Sequence, residues 1–185
     1  MDYGSRMSLR TAILIVWGAF WLYWFVSAFG AKHGSARGVR ARVPGLIIAL
    51  GFVLVRVFGA HSLTVHEAIV RGLGVAMLAA GLGLAVWARI YLGRNWGMPM
   101  TTKDEPELVT SGPYRYVRHP IYSGLLLAVL GTALATNGYW LIVAGTMAAY
   151  FIYSATVEEQ LMTRSFPTAY PAYRARTKML IPFVL

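Results

Sequence analysis

The sequence predicts an all-α fold: an integral membrane bundle of five transmembrane helices, forming a single domain over residues 1–185. Three observations lead there. Of the 185 residues, 57% are hydrophobic and only 13% charged, about half the charged fraction of a soluble domain. Apolar runs of membrane-crossing length alternate with short basic segments. Glycines and alanines inside those runs suit the close backbone approach that drives helix packing in lipid.

The formal charge of +10 comes from 17 basic and 7 acidic residues. In a soluble chain this would suggest nucleic acid. Here the basic residues cluster between apolar runs, so membrane lipids with anionic headgroups are the expected partners and nucleic acid is not. Zero cysteines exclude disulfides, a cysteine nucleophile and thiolate metal sites. The histidines at 33, 61, 66 and 119 show no HxxxH or HxH spacing, which argues against a metal site.

The first span, about residues 9–29, is close to the twenty apolar residues that cross a bilayer core. Val26-Ser27-Ala28 imitates a signal cleavage site, but the dense positive charge follows the segment rather than preceding it. Trp17, Trp21 and Trp24 fall on one helical face, where packing or lipid contact is expected. The second span, about 44–58, is short, and Arg56 near its end can snorkel to the interface. His61, His66 and Glu67 then read as a polar, solvated loop. In the third span, about 68–92, Ala79/Gly83 and Gly81/Ala85 have small-xxx-small spacing, and Arg89 near its end reads as an interface anchor in preference to a pocket residue. Residues 93–119 form a long polar connection, expected to pack as a lid over something. The fourth span covers about 120–136. Asn137-Gly138 turns the chain into the fifth, about 139–157, with Glu158-Glu159 at its end. The tail, with Arg164, Arg174, Arg176 and Lys178, is expected at the surface.

An N-terminus outside puts residues 31–42, 93–119 and 158–185 on one side, each with four Lys or Arg, against Arg6, Arg10 and Arg71 opposite. That asymmetry assigns the C-terminus and the polar segments to the cytoplasm.

The densest chemistry lies in Gly112–Gly124, which holds two prolines, three tyrosines, two arginines and a histidine. Pro113 suits the first position of a short helical turn. Pro120 would break that turn and restart a helix. The new N-terminus, flanked by Arg118 and His119, suits an anion; a juxtamembrane anchor with interfacial tyrosines is the alternative. Glu158 and Glu159, read at a helix C-terminus, need a cation to offset the helix dipole. Salt bridges to Arg115, Arg118 or the tail arginines would provide one. A bound ammonium would too, and a ligand with both carboxylate and ammonium groups, such as S-adenosylmethionine, fits the charge placement.

Leu108-Val-Thr-Ser-Gly-Pro-Tyr-Arg-Tyr-Val-Arg-His-Pro-Ile-Tyr122, followed by Glu158-Glu159, Phe166, Tyr170-x-x-Tyr173 and Pro182, resembles the isoprenylcysteine carboxyl methyltransferase family over roughly the C-terminal hundred residues. The resemblance implies a membrane-embedded, S-adenosylmethionine-dependent methyltransferase without a Rossmann domain, its cofactor-binding part at about 93–185. By that similarity Glu107, Leu108, Val109, Tyr114, His119, Pro120, Ile121, Tyr122 and Glu158 hold the cofactor. Arg118 either orients carboxylates or substrate or serves a purely structural role, and Glu159 or Tyr122 could assist proton removal. The chain departs from the family at Pro106, Pro167 and Ser154. Ser154 stands where enzymes acting on prenylcysteine carboxylates carry an arginine, and a hydroxyl does not pair a carboxylate bidentately. The expected acceptor is therefore a lipophilic small molecule or a prenylated substrate. A phospholipid amine or a thiol competes with an isoprenylcysteine-like carboxylate. An NADPH-dependent membrane reductase and an inactive membrane scaffold are the other classes compatible with the pattern.

Overall fold

The computed structural model describes residues 3–29, 34–35, 53, 64–95, 102–103 and 107–182. Among these, the chain forms α1 (Tyr3–Ala28), α2 (Ala68–Leu92), α3 (Pro120–Ala135), α4 (Trp140–Ser165) and α5 (Ala169–Arg176). Two-residue strands, β1 (Gly34–Ser35) and β2 (Thr102–Lys103), pair antiparallel. Single turns of 3-10 helix, Gly93–Asn95 and Gly112–Arg115, lie on either side of β2 in the chain. Segments Ser8–Ala28, α2 and α4 are long and apolar enough to cross a membrane. The expected span at 44–58 lies outside the described residues except for Val53.

Helix α3 has 16 residues and rises about 24 Å at 1.5 Å per residue, short of a hydrocarbon core of about 30 Å. The expected fourth span is thus a shorter apolar helix, begun where Pro120 takes its first turn.

Helices α2 and α3 pack antiparallel with their backbones nearly touching. On α2 the seam is Gly74, Leu78, Gly81, Ala85 and Ala88; on α3 it is Gly124, Ala128, Gly131 and Ala135. A methyl group at Gly81 would fall 2.5 Å from the Ala128 nitrogen, and one at Gly131 would fall 2.4 Å from the Leu78 nitrogen. Only glycine permits that approach. Of the two small-residue pairs noted in the sequence, Gly81/Ala85 lies in this seam, whereas Ala79 and Gly83 are exposed.

Helix α1 adds Ile13 and Phe20 to the core, and α4 adds Phe151 and Ala155. The tryptophan stripe divides its labour. Trp17 donates its indole N–H to Thr132 Oγ1 at 3.1 Å, while Trp21 faces outward. Helices α1, α2 and α4 each run antiparallel to α3, with Trp17 against Thr132, Gly81 against Ala128 and Phe151 against Tyr122. The C-terminal ends of α1, α2 and α4 therefore meet the N-terminus of α3 at one end of the bundle.

Three expectations are corrected here. Helix α4 runs on to Ser165, so Glu158 and Glu159 lie inside it, not at its C-terminus. The helix-dipole argument for an offsetting cation therefore does not apply, and burial supplies the need instead. Arg89 is no interface anchor: only 5% exposed, it donates to the carbonyls of Ser27 at 2.6 Å and Gly93 at 2.7 Å. It thereby ties the C-terminal ends of α1 and α2 together. The tail is not simply superficial, because Tyr170, Tyr173, Thr177 and Leu180 are buried.

Candidate active site

The polar residues singled out in the sequence converge at the α3 N-terminal end. Pro113 opens the 3-10 turn and buries Tyr114; Pro120 then opens α3, leaving Arg118 and His119 between two helical pieces. The tail holds these two in place. Residues 117 and 178 form a parallel bridge, with the Arg118 N–H bonded to the Lys178 carbonyl at 2.9 Å and the His119 N–H to the Met179 carbonyl at 3.0 Å. The Ser123 hydroxyl donates to the Leu180 carbonyl at 2.5 Å. Tyr173 donates its hydroxyl to the Tyr114 carbonyl at 2.6 Å. This strap takes up backbone groups that a break between helices would otherwise leave unsatisfied.

Helix α4 presents its carboxylates to that break. Arg118 Nε donates to Glu159 Oε1 at 2.7 Å, and its guanidinium also donates to the Thr177 carbonyl. Arg174 Nε lies 3.3 Å from Glu159 Oε2. Tyr122 donates its hydroxyl to Glu158 Oε1 at 2.6 Å and lies 3.2 Å from Ser154 Oγ, itself 3.2 Å from the same carboxylate oxygen. His119 stands between the two acids, Nδ1 3.5 Å from Glu158 Oε2 and Nε2 3.5 Å from Glu159 Oε1. These are ion-pair distances, and His119 Nε2 is buried without a hydrogen bond. The ring stacks parallel on Tyr122 at 5.4 Å, and Tyr122 stacks on Phe151 at 4.4 Å.

Burial alone would discharge His119, but Glu158 and Glu159 outweigh it and hold the imidazole pKa above its usual 6.5. Burial first, and then neighbouring oxygens, pushes the Tyr114 and Tyr170 phenols well up; Tyr173 rises to about 12, chiefly through burial. These tyrosines remain neutral hydroxyls.

Beside this cluster a cleft of about 610 Å³ is lined by Tyr91, Gly93, Asn95, Glu107, Leu108 and Val109 among others. Asn95 donates to Glu107 Oε2 at 2.8 Å and keeps its own Oδ1 buried with no partner among the described residues. The expected site residues thus form two groups at one end of the bundle. Glu107, Leu108 and Val109 line the cleft, while Tyr114, Tyr122, His119, Arg118, Glu158 and Glu159 form the cluster. The Gly112–Arg115 turn joins them: Gly112 has φ +57°, and a methyl there would fall 2.5 Å from the Tyr91 ring. Pro120 is fully buried and Ile121 packs on the core, so these two shape the site from behind.

The sequence reading missed Asn95, Phe151 and the tail carbonyls. Phe151 lies seven positions before Glu158, one helical face, and that spacing was its only signal. Nothing in the tail composition marks the carbonyls of 177–180, because a backbone contact leaves no trace in side-chain identity.

An apolar helical bundle whose acids, histidine and tyrosine gather at one end of the spans, with Glu159 and Tyr122 buried, defines an integral membrane protein with a polar site at one end of the bundle. Residues 69–169 match the phospholipid methyltransferase family, and the chain belongs to it. It is 24% identical over 185 residues to the protein-S-isoprenylcysteine O-methyltransferase of Schizosaccharomyces pombe, covering 98% of this chain and 74% of that protein. It is 27% identical over 146 residues to the methanethiol S-methyltransferase of a Pseudomonas species, covering 74% of this chain and 56% of that protein. The fold is similar to the solved eukaryotic intramembrane Ras methyltransferase, an isoprenylcysteine carboxyl methyltransferase. The TM-score is 0.52 at 20% identity, over 81% of this chain and 55% of the solved one. The chain thus spans only about half the length of the last two. Its class is that of the membrane methyltransferases, as the isoprenylcysteine methyltransferase resemblance implied.

Proposed function

We propose that this chain transfers a methyl group from S-adenosylmethionine to a lipophilic acceptor that arrives from the bilayer between α3 and α4. The observation that carries the reading is the convergence of Tyr122 and Glu158, 2.6 Å apart and from different helices, at the end of the bundle where the Glu107 cleft opens. The residues present fit such a donor. The buried, unpartnered Asn95 Oδ1 and the neighbouring Glu107 carboxylate accept from amino or hydroxyl groups in the cleft, alongside Leu108 and Val109. Glu158 suits an ammonium or a positively charged sulfur, and His119, its pKa raised, suits a carboxylate, with Tyr114, Pro120, Ile121 and Tyr122 shaping the space around them. When bound, the donor supplies a methyl group already activated by a sulfonium, so the protein's task is alignment and exclusion of water. Alignment of this kind is worth about 7–11 kcal/mol.

Glu159 is 4% exposed and paired with Arg118 and Arg174. That engagement favours a role in orienting Arg118 over service as a base. Tyr122 is better placed to relay a proton, since its hydroxyl already donates to Glu158. Ser154, fully buried and within 3.2 Å of both Tyr122 and Glu158, favours a thiol or amine acceptor over a carboxylate. A carboxylate at this point would meet Glu158 across the hydroxyls of Ser154 and Tyr122, with no guanidinium at position 154 to pair it. The charge asymmetry of the segments supports an N-terminus outside and a site open to the cytoplasm.

Methyl transfer from labelled S-adenosylmethionine tests this directly. The protein in detergent is offered total lipid extract, a lipophilic thiol and a farnesylcysteine analogue. The expected result is label in the lipid or thiol and at least tenfold less in the farnesylcysteine carboxylate. Transfer to the carboxylate alone would overturn the acceptor assignment, and no transfer to any of the three would overturn the activity.

A further inference from the structure

A second cavity, of about 160 Å³, lies at the opposite end of the bundle among Arg10 and Leu14 of α1, Thr136 after α3, and Asn137, Tyr139 and Trp140 at the turn into α4. Trp140 and Glu158 are 18 residues apart on α4, roughly 27 Å along the axis, so this cavity faces the other leaflet.

Its strongest free groups are donors. Asn137 is 5% exposed; its Oδ1 accepts the Tyr139 N–H at 3.0 Å, and its amide NH2 has no partner among the described residues. The hydroxyls of Thr132 and Thr136 are spent on the carbonyls of Ala128 and Thr132. What remains for a ligand is the Arg10 guanidinium and the Asn137 amide, with the Tyr139 hydroxyl and no carboxylate among the lining residues. A cation and a buried amide donor around a small space select an oxyanion. The remaining wall is apolar, and Leu14, 67% exposed, continues it onto the outer face of α1. Tyr139 and Trp140 stack at 5.5 Å at the mouth, the depth at which amphipathic rings meet headgroups.

We infer that this cavity binds the phosphate of a lipid headgroup in the leaflet opposite the active site, with the acyl chains lying along α1. A headgroup phosphate satisfies the guanidinium and the amide together, while the attached glycerol and chains cover the apolar wall that a free phosphate would leave wet.

The test uses the full chain in nanodiscs of equal phosphatidylglycerol and phosphatidylcholine, released and weighed by native mass spectrometry. Two variants are compared with the native protein. Arg10→Gln removes the cation. Asn137→Asp keeps the oxygen that receives the Tyr139 N–H but replaces the NH2 with a second carboxylate oxygen. Native protein is expected to retain one phospholipid, of either headgroup, and each variant about tenfold less, the cost of a hydrogen bond to a charged group. Inorganic phosphate at millimolar concentration is expected not to displace the lipid. Equal retention by native protein and variants would overturn the inference. Displacement by inorganic phosphate would assign the site to free phosphate and overturn the lipid reading.

Discussion

Glu159 and Arg118 are both buried, at 2.7 Å, with exposed Arg174 lending a second, water-screened contact. Removing one partner of a buried pair leaves the other charge stranded in a poor solvent. Glu159→Ala is expected to destabilise the protein in detergent by about 3–5 kcal/mol through Arg118, read as a lowered unfolding midpoint. His119 carries the pH dependence. Its folded pKa lies above 6.5 because two carboxylates face it, so its stabilisation is complete below about 6.5 and is lost as pH climbs through the elevated value. The unfolding midpoint should fall over that rise, and His119→Gln should flatten the profile. An unchanged slope in the variant would exclude His119 as its source.

At the scale of elements, the α2–α3 seam and the tail strap set the site. A methyl at Gly81 meets backbone at 2.5 Å, whereas Gly83, two positions on, faces open space. Gly81→Ala is therefore expected to cost about 1–3 kcal/mol by overpacking. Gly83→Ala should be neutral, or gain up to about 1 kcal/mol from helix propensity. Equal effects at the two positions would contradict the seam. The helices themselves were legible, because long apolar runs, Pro113 and Pro120 leave local marks that sterics translate directly. The end of α4 was not. Glu158-Glu159 ended the apolar run, yet Gln160–Ser165 continues the helix, with Leu161, Met162 and Thr163 half-buried along it. The buried role of Arg89 was hidden for a related reason: its partners are carbonyls of Ser27 and Gly93, which no residue type announces.

For the whole molecule, the proposed orientation rests on charge counts, and the absence of cysteine makes it easy to check. Single cysteines at the exposed positions Glu67 and Pro167 lie at opposite ends of the bundle. An impermeant thiol reagent on intact cells should label Glu67→Cys at once and Pro167→Cys only after permeabilisation; the reverse order would invert the topology. The site residues of the Gly112–Gly124 stretch could be named from the sequence because prolines and charges there break an apolar pattern. Asn95 and the cleft could not, since they arise only when the α2 end folds against residues 107–111. The account as a whole rests on a methyl donor held between the Glu107 cleft and the Glu158 cluster. Titration calorimetry of S-adenosylhomocysteine into the detergent-solubilised protein measures that most directly. Saturable binding by the native chain, weakened about tenfold or more in Glu158→Gln with the fold intact, is the predicted result; no binding by the native chain, or equal affinity in the variant, would contradict it.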